Sequence, residues 1–349
     1  MKIYKNLFER ITSTENLFLA WDAFKHDKQN KPDVRKFEWR LEENIFQLRR
    51  ELLNKSYKHG PYAGFYIRDP KQRHIHKALV RDRILHHAVF SVINPIFEET
   101  FIPTSFSCRT GYGTHKGVAA LGRMAKKIHR NGTGSCFVLK CDIQKFFDSV
   151  DHRILLSILK KRIKDEDAIW LLWEIVESYS SSRSTLFEAK GLPIGNLTSQ
   201  LFANVYMNEF DRFIKNILKV RHYVRYTDDF VVVSESSVYL EELLRPITEF
   251  LNRRLALGLH PKKITIRRFN RGVDFLGYLI FPKYRLIRTK TKRRMITKMK
   301  RRIAEYHSGK INSHTFYQSL QSYLGVLSHA DAYRFGQDLK NSFWLKTVS

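Results

Sequence analysis

The sequence predicts an α+β fold built on a ferredoxin-like unit. Three observations carry that prediction. A short apolar strand, Phe137–Asp142, ends in an acid. Two β-branched and aromatic runs, His222–Tyr226 and Phe230–Val233, flank the bend Asp228-Asp229 and read as a hairpin. Amphipathic helical stripes lie between and after these strands. Strand, helix, a second helix at 197–218, hairpin, a helix at 239–257 and a final strand pair give the ferredoxin-like order. A chain of 349 residues can bury a large core, here as subdomains with boundaries at 60, 135 and 280.

Each element has its own signal. Residues 1–60 are charged, with Phe37, Leu41, Ile45, Leu48 and Leu52 at helical spacing. Gly111-Tyr-Gly-Thr-His-Lys-Gly117 looks like a phosphate-cradling loop but lacks the Gly-Lys-Ser/Thr ending, so it reads as a turn opening the helix Val118–His129. Asp151 can cap the helix His152–Ile163, whose apolar residues are Ile154, Leu155, Ile158 and Leu159. The stripe Leu201, Phe202, Val205, Phe210, Phe213, Ile214 and Ile217 reads as core. Asn196, Thr198 and Ser199 at its start serve either as caps or as polar contacts to a bound partner. From Lys283 to Arg302 there are eleven Lys or Arg and no acid, which suits a polyanion's backbone. Phe316, Leu320, Tyr323 and Leu327 then mark a packing helix around 314–327.

The acids carry the chemistry. Adjacent Asp228 and Asp229 repel, and a fold that holds them together usually neutralises them with a divalent cation. An ordinary exposed turn is the bland reading, but Asp142 at a strand end supplies a third acid. One acid at a strand end and two at a hairpin tip suit a two-metal site for displacement at a phosphate. Magnesium fits all-oxygen ligands.

Composition agrees with a nucleic-acid partner. There are 62 Lys plus Arg against 34 Asp plus Glu, a net charge of +28. No apolar run reaches a membrane span of about 18 residues, and Met1-Lys-Ile-Tyr-Lys lacks a signal-peptide core, so no membrane partner is expected. Cys108, Cys136 and Cys141 have no paired metal spacing, which suggests a reducing compartment without zinc or a disulfide framework.

Together these motifs resemble the reverse transcriptases. Asp142 followed five residues later by Phe147, and then Tyr226-Thr-Asp-Asp229, resembles their palm. Gly191-Leu-Pro-Ile-Gly195-Asn-Leu-Thr-Ser199-Gln200 resembles the block that packs on template and incoming nucleotide. Leu259-His-Pro-Lys-Lys263 resembles the segment that brings a basic residue to the pyrophosphate, and Gly272-Val-Asp-Phe275-Leu-Gly277-Tyr278 the primer grip. Arg73-His-Ile-His-Lys77-Ala-Leu-Val-Arg81-Asp-Arg83 resembles the fingers. The resemblance implies a polymerase right hand: a helical extension at 1–60, fingers at 61–135, a ferredoxin-like palm at 136–280 and a helical thumb at 281–349.

It also implies roles. Asp142 and Asp228 hold two Mg2+ ions, with Mn2+ an in vitro substitute. Asp229 positions one ion, and the Ile143 carbonyl reaches a metal. Arg73, Lys77 and Arg81 are triphosphate candidates; Arg73 is favoured, and Lys77 or Arg81 can pair with local acids instead. Lys263, or its neighbour Lys262, serves the departing pyrophosphate. Phe147 is a steric gate against a 2′-hydroxyl, or simply palm packing. Ile194, Gly195, Ser199 and Gln200 face the nucleotide. Tyr226, Phe275, Leu276 and Gly277 seat the primer end, and Lys292, Arg293 and Arg294 hold the template–primer backbone.

A subfamily is legible as well. Most reverse transcriptases carry Pro-Gln-Gly and then Ser-Pro where this chain has Pro193-Ile194-Gly195 and Ser199-Gln200. That pattern, with Leu320-Gln-Ser-Tyr323-Leu-Gly325-Val-Leu-Ser-His329-Ala-Asp331, resembles the enzymes of diversity-generating retroelements. Those enzymes copy a template RNA into cDNA with errors mainly opposite adenines, in mutagenic retrohoming. The implied partners are template RNA, primer and cDNA, dNTPs and a small basic oligomeric accessory variability protein. The implied location is the cytoplasm, with a bacterial, archaeal or phage gene. A defence-associated or retron-like enzyme is the alternative with the same chemistry. A group II intron enzyme is disfavoured because no further domain follows the thumb. A catalytically idle RNA-binding scaffold is the alternative of another class, and the three acids argue against it.

Overall fold

The computed structural model describes residues 2–69, 71–181, 184–185 and 189–347. The N-terminal extension contains α1 (Leu7–Thr12), α2 (Thr14–Lys25), α3 (Pro32–Glu38) and α4 (Leu41–Leu53). Ser13 separates the first two and caps α2, accepting from Asn16 N at 3.2 Å. The stripe Phe37–Leu52 spans two helices, because Arg40 leaves helical geometry (φ −126°, ψ 46°). The break lets Phe37 stack on Trp21 while Ile45, Leu48 and Leu52 enter the core.

The helices α2, α3 and α4 pack on a long central helix, α5 (Val80–Glu98). Just before it, β1 (Ala63–Ile67) and β2 (Arg73–Lys77) form an antiparallel hairpin that stands out from the body. The next helix, α6 (Thr114–His129), starts earlier than its apolar stripe suggests. It follows Gly111 and Gly113, whose φ values of 78° and 123° turn the chain where a side chain would be strained.

A four-stranded antiparallel sheet positions the acids. Its strands are β3 (Phe137–Asp142), β4 (Tyr223–Tyr226), β5 (Asp229–Ser234) and β6 (Thr265–Arg268), in the order β4-β5-β3-β6. Counted along the chain this is 2-3-1-4, the ferredoxin-like order. The first crossover holds α7 (Phe146–Ser149), α8 (His152–Arg162), α9 (Glu166–Glu177) and α10 (Leu197–Arg212). The second holds α11 (Ser237–Glu242) and α12 (Leu244–Leu255), so the helix expected at 239–257 is two. Asp151 caps α8, accepting from Ile154 N at 3.0 Å. The helix expected over 197–218 ends at Arg212 and widens into a π-helical turn, Phe213–Ile217.

Alternation along the strands gives the sheet two apolar faces. Leu139, Cys141, Tyr223, Phe230 and Val232 join the core that also holds the apolar residues of α8, α10 and α12. Val138, Val224, Val231 and Val233 pack toward α6 and a second sheet, β7 (Val273–Phe275), β8 (Tyr278–Ile280) and β9 (Arg285–Ile287). The final strand pair therefore belongs to this separate sheet, and β6 closes the first. Last come α13 (Thr289–His307), α14 (Ser313–Leu327) and α15 (Tyr333–Thr347). Met295, Met299 and Ile303, four residues apart, meet Phe316, Leu320, Leu327, Phe335 and Leu339 in a third core. Tyr323 is only half-buried against it.

Candidate active site

Asp142 ends β3 and Asp229 opens β5, and the register makes them directly opposed. Opposed residues in an antiparallel pair share a face. Both carboxylates line a cavity of about 400 Å³ with Lys140, Lys263, Leu276, Gly277 and Arg288. Asp228 sits in the tight turn between β4 and β5. Its carbonyl accepts from Ile143 N at 3.2 Å, which ties the turn to the end of β3. Asp229, rather than Asp228, is thus the cross-strand neighbour of Asp142.

Burial and like charge make these acids reluctant to ionise. Burial first, then Asp229 and Asp142, push the Asp228 carboxyl up to about 6. Burial also raises Asp229, with Lys140 opposing it. Lysines stand where a cation is needed: Lys263 Nζ donates to Asp142 Oδ1 at 2.6 Å, and Lys140 Nζ lies 3.8 Å from Asp229 Oδ1. Among the described residues, no three or more His, Cys, Asp or Glu gather tightly enough to hold an ion unaided. Carboxylate oxygens such as those of Asp142 and Asp229 are ligands that suit hard divalent ions, whose shells water and phosphate can complete.

Sequence reasoning missed the clamp on the acidic turn. Arg225 is fully buried and donates to both Asp211 oxygens, at 2.8 and 2.6 Å. It also donates to Thr227 O at 3.0 Å and to Ser105 Oγ at 2.9 Å. Tyr223 OH adds a bond to Asp211 at 2.7 Å. Thr227 is held with φ 55°, its hydroxyl on Ser107 Oγ at 2.5 Å. A lone Arg in an otherwise apolar strand was the available signal for Arg225. Lys140 could have been found too, since it alternates with Val138 and Asp142 on the cavity face.

The nucleotide candidates separate. Arg73 is exposed and joins no ion pair among the described residues. Lys77 pairs with Asp33 at 2.7 Å, and Arg81 with Glu51 at 2.7 Å, so both are engaged by local acids. His76 N donates to Ile194 O at 3.0 Å and joins the Ile194–Gly195 bend to β2. Gly195 has φ 121°, and a Cβ there would lie 2.9 Å from Ile75 Cγ2, so only glycine fits without displacement. Gln200 is exposed, but Ser199 is buried. Thr198 is buried as well and bonds His86 Nδ1 at 2.8 Å, so neither residue caps α10; the cap position is Asn196. Phe147 is half-buried and meets Phe146 edge to face at 5.4 Å.

Of the primer-grip candidates, Leu276 (φ 50°) and Gly277 (φ 90°) form the two-residue turn between β7 and β8 and face the cavity. Phe275 is fully buried and supports that turn from beneath. Tyr226 OH accepts from Thr114 Oγ1 at 3.3 Å. Of the three α13 cations singled out, Arg293 is exposed and Lys292 lies 4.5 Å over the Phe335 ring. Arg294 pairs with Asp69 at 3.4 Å, and Lys298 joins the same carboxylate.

The profile of the reverse transcriptase (RNA-dependent DNA polymerase) family matches residues 67–280. The chain belongs to the reverse transcriptase family. This reverse transcriptase is 27% identical to protein YkfC of Escherichia coli (strain K12) over 283 residues, covering 70% of this chain and 73% of that protein. It is 22% identical over 303 residues to the group II intron-encoded protein LtrA of Lactococcus lactis subsp. cremoris, covering 68% of this chain but 49% of LtrA. Apo telomerase from Candida tropicalis overlays with a TM-score of 0.49 at 10% identity, covering 68% of this chain and 59% of that one. No helix among the described residues is long and apolar enough to cross a membrane.

Proposed function

We propose that this reverse transcriptase makes error-prone cDNA from a template RNA for a diversity-generating retroelement. The observation that carries the reading is Ile194 between Pro193 and Gly195, with Ser199-Gln200 following. Ile194 is half-buried and its bend is joined to β2, the strand that begins at Arg73. An aliphatic side chain there fills volume but offers no donor or acceptor. The nucleotide is then held less firmly, and mispairs lose less relative to correct pairs.

Asp142, Asp229 and Asp228, with the Ile143 carbonyl, would hold two Mg2+ ions, which supply charge neutralisation for phosphoryl transfer. Lys263 is the basic group beside Asp142 and the better candidate than Lys262 for the leaving pyrophosphate. Arg73, which joins no ion pair among the described residues, is the triphosphate candidate, with Lys77 and Arg81 holding the fingers. Phe147 gates the sugar, and the Leu276–Gly277 turn seats the primer end. A small basic oligomeric accessory protein and a cytoplasmic setting complete the reading.

Primer extension on a defined RNA, with the cDNA sequenced, tests it. Errors should concentrate opposite template adenines. Ile194→Gln should lower them severalfold, since one such contact contributes about 1 kcal/mol, roughly a factor of five. Errors spread evenly at a low rate would remove the retroelement assignment. The resemblance to LtrA, a group II intron-encoded protein, favours a second reading, an intron-type enzyme, and that even spectrum is its expectation.

A further inference from the structure

A second cleft, of about 520 Å³, opens where α6, the β8–β9 turn and the end of α14 meet. It shares no lining residue with the catalytic cavity. The strand β8 separates the two: the cavity takes in the Leu276–Gly277 turn before it, and the cleft begins at Ile280 and Phe281.

Four cations line this cleft: Arg123 and Lys126 from α6, Lys283 from the turn and Arg285 from β9. Their neighbours Arg130 and Arg288 find acids, in Glu235 and Asp274. None of the four joins an ion pair among the described residues. The one acid on the wall, Asp331, is turned to the main chain; it accepts from Arg285 N at 3.1 Å. Arg285 is held in place, its Nη1 donating to His329 O at 3.1 Å. Its Nε is buried without a partner among the described residues. The His329 ring lies 3.7 Å from that of His115, tilted by 37°, so the wall is braced between α6 and the residues after α14.

Unpaired cations gathered around a polar cleft repel one another unless an anion sits among them. A fixed guanidinium is suited to phosphate oxygens. We propose that this cleft is a second nucleic-acid site, which grips the phosphodiester backbone of structured RNA away from the catalytic cavity. The identity of the polyanion rests on the RNA-directed reading; the cleft itself does not. Such a site would hold the template RNA while its single-stranded part is copied.

The test keeps the two sites apart. The catalytic cavity is first saturated with an RNA–DNA primer–template ended by a dideoxynucleotide. A fluorescent RNA stem-loop with a blocked 3′ end is then titrated in. The wild-type enzyme should still bind it. Arg123→Gln with Lys126→Gln should weaken that binding severalfold at about 0.15 M salt and lower the log–log salt slope by about 1 to 2. Extension of a short unstructured primer–template should be unchanged in the variant. Because extension is read separately, a dead polymerase cannot mimic a failed cleft. The proposal is overturned if the loaded wild type binds no stem-loop, or if the folded variant keeps its affinity and slope. It is overturned equally if the variant loses phosphatidylglycerol vesicles but not RNA, since the cleft would then be a membrane site.

Discussion

Replacing Asp228 by Asn should stabilise the metal-free protein while abolishing extension. The carboxyl is pushed from its usual 3.8 to about 6 by burial and by Asp229 and Asp142. A raised carboxyl favours folding below its unfolded pKa and loses that contribution as pH climbs through its folded value. Ionised Asp228 therefore costs the folded state up to about 3 kcal/mol, and partial exposure reduces this to about 1–2 kcal/mol. Asn is neutral at every pH and nearly the same shape. The variant should match wild type near pH 4, gain between 4 and 6, and hold its full advantage above that. The gain corresponds to a rise in Tm of about 1–3 °C. Thermal melts in EDTA at five pH values measure it. Added Mg2+ should raise the wild-type Tm more than the variant's, because the variant has lost a ligand charge. A variant no more stable than wild type at pH 8 would show that the buried charge is already compensated. Wild-type-like extension by it would remove Asp228 from the site.

Four further outcomes follow from named contacts. Phe147→Ala should raise ribonucleotide relative to deoxynucleotide incorporation severalfold; an unchanged ratio in a folded variant leaves Phe147 as packing on Phe146. Asp211→Ala should destabilise by about 3–5 kcal/mol in denaturant melts, because it strands the buried Arg225 charge, and a loss under 1 kcal/mol would show that water reaches Arg225. Replacing Lys292, Arg293 and Arg294 with Gln should reduce the salt slope of primer–template binding by up to about three. Asp69→Ala should instead tighten that binding, since Asp69 already occupies Arg294 and Lys298.

Much of the fold was legible because its signals are local. The apolar run before Asp142 and the two runs around Asp228-Asp229 specify strands by residue type alone, and the Asp151 cap follows from a neighbour three residues on. The same locality made the ordered motifs readable as those of a reverse transcriptase. Local spacing could not see the break at Arg40, where Phe37 turns to Trp21, a partner on the preceding helix. It could not see that Thr198 bonds His86 instead of capping its own helix. Sequence by itself determined the strand–helix order of the sheet that carries Asp142, Asp228 and Asp229, and the motifs that place the chain in its family. Only the tertiary structure decided that Asp142 faces Asp229, that Lys140 and Lys263 attend them, and that Arg225 and Asp211 clamp the turn. Those outcomes depend on register and on which faces become buried, and both are settled by contacts between segments remote along the chain.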